Sequence, residues 1–271
     1  MRHIGLKLRM LVTGTILFGL YALAGVILYS LFGSGVVPLL LIGSVGLIGL
    51  QYVMGVKGAL MSVGAEDLPR DRYPKIHSSV ERICDDVEME KPRLMIADMG
   101  VPNAFAVGRR GNGTVVISRE LIQTLEFEEL EGVIAHELSH IDNRDVVMMV
   151  VGQGIASILG IVAQWAIILG DEDLGGFFAG IIAGIVAQTL VMIVVLAISR
   201  TREYVADSDA ARHIGSGEPL ARALEKIDSQ GRSKEVPEDV NALCIFGGTG
   251  RLLATHPPME KRIERLRSSQ P

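Results

Sequence analysis

The sequence predicts a mainly α protein: a four-helix transmembrane bundle joined to a cytosolic α+β domain with a small β-sheet. Three observations lead there. Four apolar blocks of about 20 residues have uncharged interiors, as a helix crossing a ~30 Å hydrocarbon core requires. Lys and Arg flank those blocks on one side only. The hydrophilic stretches between and after them mix short β-type runs with helical periodicity.

The blocks cover residues 10–31, 36–56, 146–169 and 177–198. All are rich in glycine, which membrane helices tolerate and use for close packing. The first begins after Arg2, Lys7 and Arg9, but its apolar stretch is long for a signal peptide and SLFGSG leads straight into the second. It is therefore expected to be an uncleaved anchor. Basic residues stand before the first block, after the second (Lys57, Arg70, Arg72, Lys75) and after the fourth (Arg200, Arg202, Arg212). The loops SLFGSG and GDEDLGG carry none. By the positive-inside rule both termini and both hydrophilic parts face the cytoplasm. The expected organisation is two transmembrane helices in 1–56, a cytosolic insertion in 57–145, two more transmembrane helices in 146–198 and a cytosolic C-terminal part in 199–271.

Within the insertion, AEDLPRDRYP at 65–74 reads as a linker because of its two prolines. Ile76, Val80, Ile83 and Val87 repeat at helical spacing. PRLMIAD at 92–98 and GTVVIS at 113–118 read as strands. Before the latter, RRGNG predicts a tight hairpin at Asn112-Gly113. From Ser118 the pattern turns helical through Leu121, Leu125 and Leu130, as one helix or two joined near Glu126. In the C-terminal part, SRTREYVADSDAA is expected to continue the fourth span as a helix. Further helices are expected at 218–230 and 259–267.

Composition narrows the function. A mean hydropathy of +0.37 is too high for an ordinary soluble enzyme. A formal charge of −5, with no arginine-rich stripe, argues against nucleic acid as the main partner. Cys84 and Cys244 stand in no CxxC pattern, so they are expected to be free thiols, not metal ligands.

The chemistry is concentrated at residues 136–140, His-Glu-Leu-Ser-His. On a helix the two histidines share one face and reach one zinc ion, while Glu137 faces a water at that ion. A catalytic zinc takes three protein ligands and keeps one position open. The extended HExxHxxGxxH form is absent, since Asn143 and Val146 occupy its Gly and His positions. Asp145, Glu203, Asp207, His213 and His256 are the candidates for third ligand. Asp145 lies five residues past His140, so a continuing helix would point it away from the histidine face. Glu203 and Asp207 are four apart and share a face, which suits one ligand and one carboxylate orienting a ligand histidine.

HELSH between two pairs of spans, then SRTREYVAD, then ATHPPMEKRI, resembles the HtpX family of membrane metalloproteases over nearly the whole chain. That family is related to the CAAX prenyl proteases and is of gluzincin type. The resemblance implies a gluzincin-type zinc protease domain with one zinc per subunit, held by His136, His140 and Glu203. Glu137 is then the general base, Asp207 supports a ligand from behind, Asn103 lines the substrate groove and His256 steadies the transition state. Tyr204 is a second possible oxyanion donor, though packing suits it better; His3, His77 and His213 read as non-functional. The implied partners are protein substrates, mainly membrane proteins, and the lipid bilayer, with a role in membrane protein quality control; oligomeric state is left open.

Two rivals fit less well. A site-2-type intramembrane protease places HExxH inside a span and takes an LDG aspartate as ligand, whereas HELSH follows Glu126, Glu128, Glu129 and Glu131 and no LDG occurs. A non-catalytic metal-binding scaffold does not need Glu137.

Overall fold

A computed structural model describes residues 4–169, 174–231 and 257–268, apart from a few side chains. The chain divides into two compact units, residues 1–54 with 148–199 and residues 55–147 with 200–271.

Helices α1 (Ile4–Phe32), α2 (Val36–Ser62), α6 (Asp145–Ile168) and α7 (Leu174–Ile214) cover the four apolar blocks. Among the described residues three are long and apolar enough to cross a membrane, those over Val36–Ser62, Asp145–Ile168 and Gly175–Ile214. The described apolar part of α1, Gly14–Ser30, is shorter. The apolar unit consists of the hydrophobic parts of these helices. Tyr21 Oη and Ser44 Oγ hydrogen-bond at 2.9 Å between α1 and α2, and Gln51 Nε2 donates to Ser157 Oγ at 3.4 Å between α2 and α6. Helices α6 and α7 meet through glycine. A Cβ added to Gly160 would stand 3.0 Å from the Gly184 carbonyl oxygen, and one added to Gly184 would stand 2.9 Å from the Gly160 carbonyl oxygen. Small residues that let backbones touch replace the hydrophobic driving force missing between helices in lipid.

The second unit is built on a four-stranded mixed sheet. Its strands are β1 (Glu66–Asp67), β2 (Arg93–Ala97), β3 (Ala104–Arg109) and β4 (Asn112–Ser118), in the order β1-β2-β4-β3. β2 and β4 run parallel, and the two outer pairings are antiparallel. Strand β1 corrects the linker reading: Glu66 and Asp67 pair with Ile96 and Met95. The hairpin also turns two residues earlier than Asn112-Gly113. Arg109 pairs with Asn112, so Arg110 and Gly111 form the loop, and Gly111 supplies the left-handed backbone at φ +80°. Asn112 and Gly113 open β4.

Both sheet faces are covered. Leu94, Ile96, Val115 and Ile117 join the core formed with α3 (Pro74–Asp86), α5 (Phe127–Asp142) and α8 (Glu218–Gly231). The alternate residues Met95, Ala97, Val116 and Phe105 pack on Val56, Ala59 and Leu60 near the end of α2. Cys84 lies in the first of these cores, and burial pushes its thiol up to about 11. Cys244 is outside the described residues. His77 is a core histidine: Nε2 lies 3.0 Å from the Leu68 carbonyl oxygen, and Nδ1 lies 3.0 Å from Lys91 Nζ.

After β4 the chain forms two helices, α4 (Arg119–Thr124) and α5, which meet at Leu125 and Glu126. Ser118 Oγ caps α4 by accepting from Leu121 N. Helix α5 begins with a capping box in which the Glu126 amide donates to Glu129 Oε2 at 3.0 Å. Glu129 is buried and is held across the interface by Lys226 Nζ at 2.6 Å. One turn on, Gly132 admits α8 so closely that an added Cβ would stand 3.0 Å from Leu220 N. Helix α9 (Met259–Ser268) closes the unit.

This contact sets a test of the fold. Gly132→Val pushes side-chain carbon into α8 backbone, and overpacking of this kind costs about 1–3 kcal/mol. Thermal unfolding of the detergent-solubilised protein should show a lowered midpoint; an unchanged one would mean that α8 does not seat on α5 in this way.

Candidate metal centre

Helix α5 carries HELSH, and nearly all of its second half is buried. His136 and His140 stand one turn apart, with ring centroids 4.7 Å from each other and ring planes at 88°. Their Nε2 atoms approach to 3.1 Å. The last turns of α7 bring Glu203 against both. Glu203 Oε1 lies 3.4 Å from His140 Nε2, and Oε2 lies 3.6 Å from His136 Nε2. Among the described residues these three form the one group of His, Cys, Asp or Glu whose ligand atoms converge, all within 4.8 Å of one another.

The spacing can be tested against metal chemistry. Tetrahedral zinc with bonds of about 2.0–2.1 Å requires ligand atoms about 3.3 Å apart. The observed separations of 3.1, 3.4 and 3.6 Å bracket that value. Two imidazoles and one carboxylate are also the donor set of a catalytic site that keeps a coordination position open. Glu137, next to His136, is 4 % exposed, and its charge acts on both His140 and Arg262.

Behind each histidine stands a carboxylate. Asp207, one turn past Glu203, approaches His136 Nδ1 to 3.0 Å, without the alignment of a good hydrogen bond. Asp145 Oδ2 lies 2.7 Å from His140 Nδ1. This second contact overturns the expectation that Asp145 points away from the histidine face. Helix α5 does not continue: it ends at Asp142, Arg144 takes a left-handed conformation at φ +58°, and α6 starts at Asp145. The break turns the carboxylate back toward His140.

Two arginines complete the cluster, and neither was singled out as a site residue from sequence. Arg262 on α9 is fully buried. It donates from Nε to Asp207 Oδ2 at 2.9 Å and from Nη2 to Asp207 Oδ1 at 2.7 Å. Its Nη1 lies 3.2 Å from Glu203 Oε2. Arg202, 3 % exposed, pairs with the Asp145 carboxylate. The sequence signal for Arg262 is only its place in ATHPPMEKRI, and Arg202 reads as a membrane-flanking charge. Electrostatics separate the two histidines. Burial opposes a charge on His136, but Asp207 and Glu203 override it and hold the imidazole at about 9. Burial keeps His140 below the ordinary range.

The remaining predicted positions fall as follows. Asn103 is fully buried just before β3; its backbone N–H donates to Ser118 Oγ and its backbone carbonyl accepts from Ser118 N, both at 2.9 Å. Tyr204 packs its ring beneath the Arg265 guanidinium at 4.3 Å. His213 lends its carbonyl oxygen to Arg82. His256 and His3 lie outside the described residues.

The chain is similar to known proteins along most of its length. A protein named "Protease HtpX homolog" from Halobacterium salinarum is 52% identical over 290 aligned positions, covering 96% of this chain and all of that one. One of the same name from Aquifex aeolicus is 39% identical over 239 positions, covering 80% of this chain and 78% of its own. The crystal structure of S. mikatae Ste24p shares the fold, with a TM-score of 0.58 at 18% identity; the match covers 97% of this chain and 66% of that one. The model of Peptidase family M48 matches residues 70–270, which include both histidines, both glutamates and Arg262, and the chain belongs to that family.

Proposed function

We propose that the protein is a multi-pass membrane zinc endopeptidase that cleaves membrane or misfolded proteins at the cytoplasmic face, in membrane protein quality control. The observation that carries this reading is the convergence of His136, His140 and Glu203 with Glu137 beside them. Family M48 and the relatives named protease support the hydrolytic activity, and the apolar helices support the membrane setting. The orientation rests on the one-sided placement of Lys and Arg.

Bound between the three ligands, zinc supplies a water acidified to near neutrality and polarises the scissile carbonyl. Glu137 accepts the proton of the attacking water and returns it to the leaving amine. Asp207 holds His136 from its Nδ1 side, and Arg262 reaches Glu203 Oε2 at 3.2 Å and His136 Nε2 at 3.3 Å. Strand β3 is an edge of the sheet, so an extended substrate can add to it through main-chain hydrogen bonds, with little sequence preference. Asn103 lines the substrate groove at the start of that strand, where its main chain is fixed by paired bonds to Ser118. His256 is the proposed donor to the oxyanion. A pure metal-binding role is disfavoured because it leaves Glu137 without a purpose.

The deciding experiment uses detergent-purified protein and casein, with chelator and metal re-addition. Glu137→Gln should retain zinc and lose cleavage by about 100-fold or more, within the range of a lost general base. Full proteolysis by this variant would remove the mechanism, and chelator-insensitive cleavage would remove the metal.

The site's charges set the pH dependence of metal binding. In the metal-free protein His136, titrating at about 9, carries a proton at neutral pH that zinc must displace. A raised value means that affinity is complete above pH 9 and falls as pH drops. Calorimetry in buffers of different ionisation enthalpy should find more than one proton released per zinc at pH 7, one from His136 and a fraction from the acidified water, falling to about one at pH 10, where only the water still has a proton to lose.

A further inference from the structure

We propose that Asp145 and Arg202 are positioning residues for His140, forming with it a second His–Asp–Arg brace built on the break between α5 and α6. The inference rests on the metal-site reading above and extends it to residues that ligate nothing.

The geometry begins with helix periodicity. Five residues along an uninterrupted α-helix is a rotation of about 140° from the starting side chain. A carboxylate at 145 on such a helix could not reach His140. The chain reaches it by ending α5 at Asp142 and placing Arg144 at φ +58°, a conformation that L-residues adopt at a cost. Asp145 then accepts from His140 Nδ1 at 2.7 Å through Oδ2, and its other oxygen faces Arg202. With Nδ1 occupied in this way, Nε2 is the nitrogen left for a metal, and the carboxylate makes the ring a stronger donor.

Arg202 secures the break as well as the carboxylate. Its guanidinium donates to the Asn143 carbonyl oxygen at 3.2 Å and to the Asp145 carbonyl oxygen at 3.3 Å. It thus satisfies a backbone acceptor left by the end of α5. Asn143 Nδ2 is tied to the same helix by Asp209 Oδ2 at 3.2 Å. Arg202 precedes Glu203, so one turn of α7 presents the carboxylate ligand and holds the brace of the second histidine. The arrangement resembles that at His136, where Asp207 stands at Nδ1 and Arg262 pairs with Asp207, but there the arginine also reaches the ring itself, at Nε2 and 3.3 Å.

The test uses the full-length protein in detergent, with zinc affinity measured by competition against a chromophoric chelator. The visible spectrum of the cobalt-loaded protein is the second readout. Asp145→Ala should weaken zinc binding by about 10- to 100-fold, the range for residues that orient metal ligands, and alter the cobalt bands. Asp145→Asn keeps an acceptor for Nδ1–H without the charge, and should recover part of the loss while remaining about threefold or more weaker than the native protein. Native affinity and a native spectrum in Asp145→Ala would overturn the proposal. If that variant does not fold, the same result in Asp145→Asn and Arg202→Gln would overturn it. A native protein that binds no zinc would instead remove the metal-site reading itself.

Discussion

The pairing of Arg262 with Asp207 and Glu203 is the interaction on which the candidate metal centre depends. Two carboxylates one turn apart on α7, both almost fully buried, repel each other and lose the hydration that would stabilise their charge. A fully buried guanidinium offsets both losses, with a two-pronged contact to Asp207 and a third nitrogen beside Glu203. Burial acts against the charge of Arg262, yet Asp207 and Glu203 together hold its protonated form more firmly than in water. Removing one partner from such a cluster leaves a charge without compensation, which is far costlier than replacing the whole. Helix α9 therefore does more than cover the core. It carries the cation that lets α7 present two acids to α5.

Much of this was legible in the sequence, and the parts that were share a cause. HELSH on a helix, Glu203 and Asp207 on another, and the helices at 218–230 and 259–267 follow from periodicity, a local property that survives folding. The strands at 92–98 and 113–118 were legible because apolar residues line both faces of a sheet covered on both sides. What escaped depends on contacts between distant residues. Glu66 and Asp67 look like linker because a two-residue edge strand is defined by its partner in β2 and not by its own composition. Asn112-Gly113 is the stronger turn dipeptide in isolation, but register is fixed by the pairing of Ala104 with Ile117 along the whole hairpin.

Asp145 shows the same limit at the site itself. Its spacing from His140 excludes contact on a continuous helix, and only a left-handed residue at 144 reverses that conclusion. Arg144 is neither Gly nor Asn, so no local signal announces the break. The conformation is held from outside, by Arg202 on the carbonyl oxygens and Asp209 on Asn143. Strain of this sort persists where the surroundings over-determine it. Its place one turn after the second histidine gives it a use: the helix must stop there for the carboxylate to turn back.

The two braces also bear on what the site can hold. Around the converging ligand atoms stand the carboxylates of Glu137, Asp145, Glu203 and Asp207 and the guanidiniums of Arg202 and Arg262. With both histidines neutral, that arrangement carries two net negative charges, the complement of one divalent cation. A protein that buries these groups gains from binding such an ion beyond the coordination bonds themselves, because each charge is then balanced where water cannot screen it. The same arithmetic accounts for the proton on His136 in the metal-free protein: it supplies part of the missing positive charge at the nitrogen the metal would take. The arginines thus set the charge of the candidate site as much as the ligands do, since without them the excess would be four.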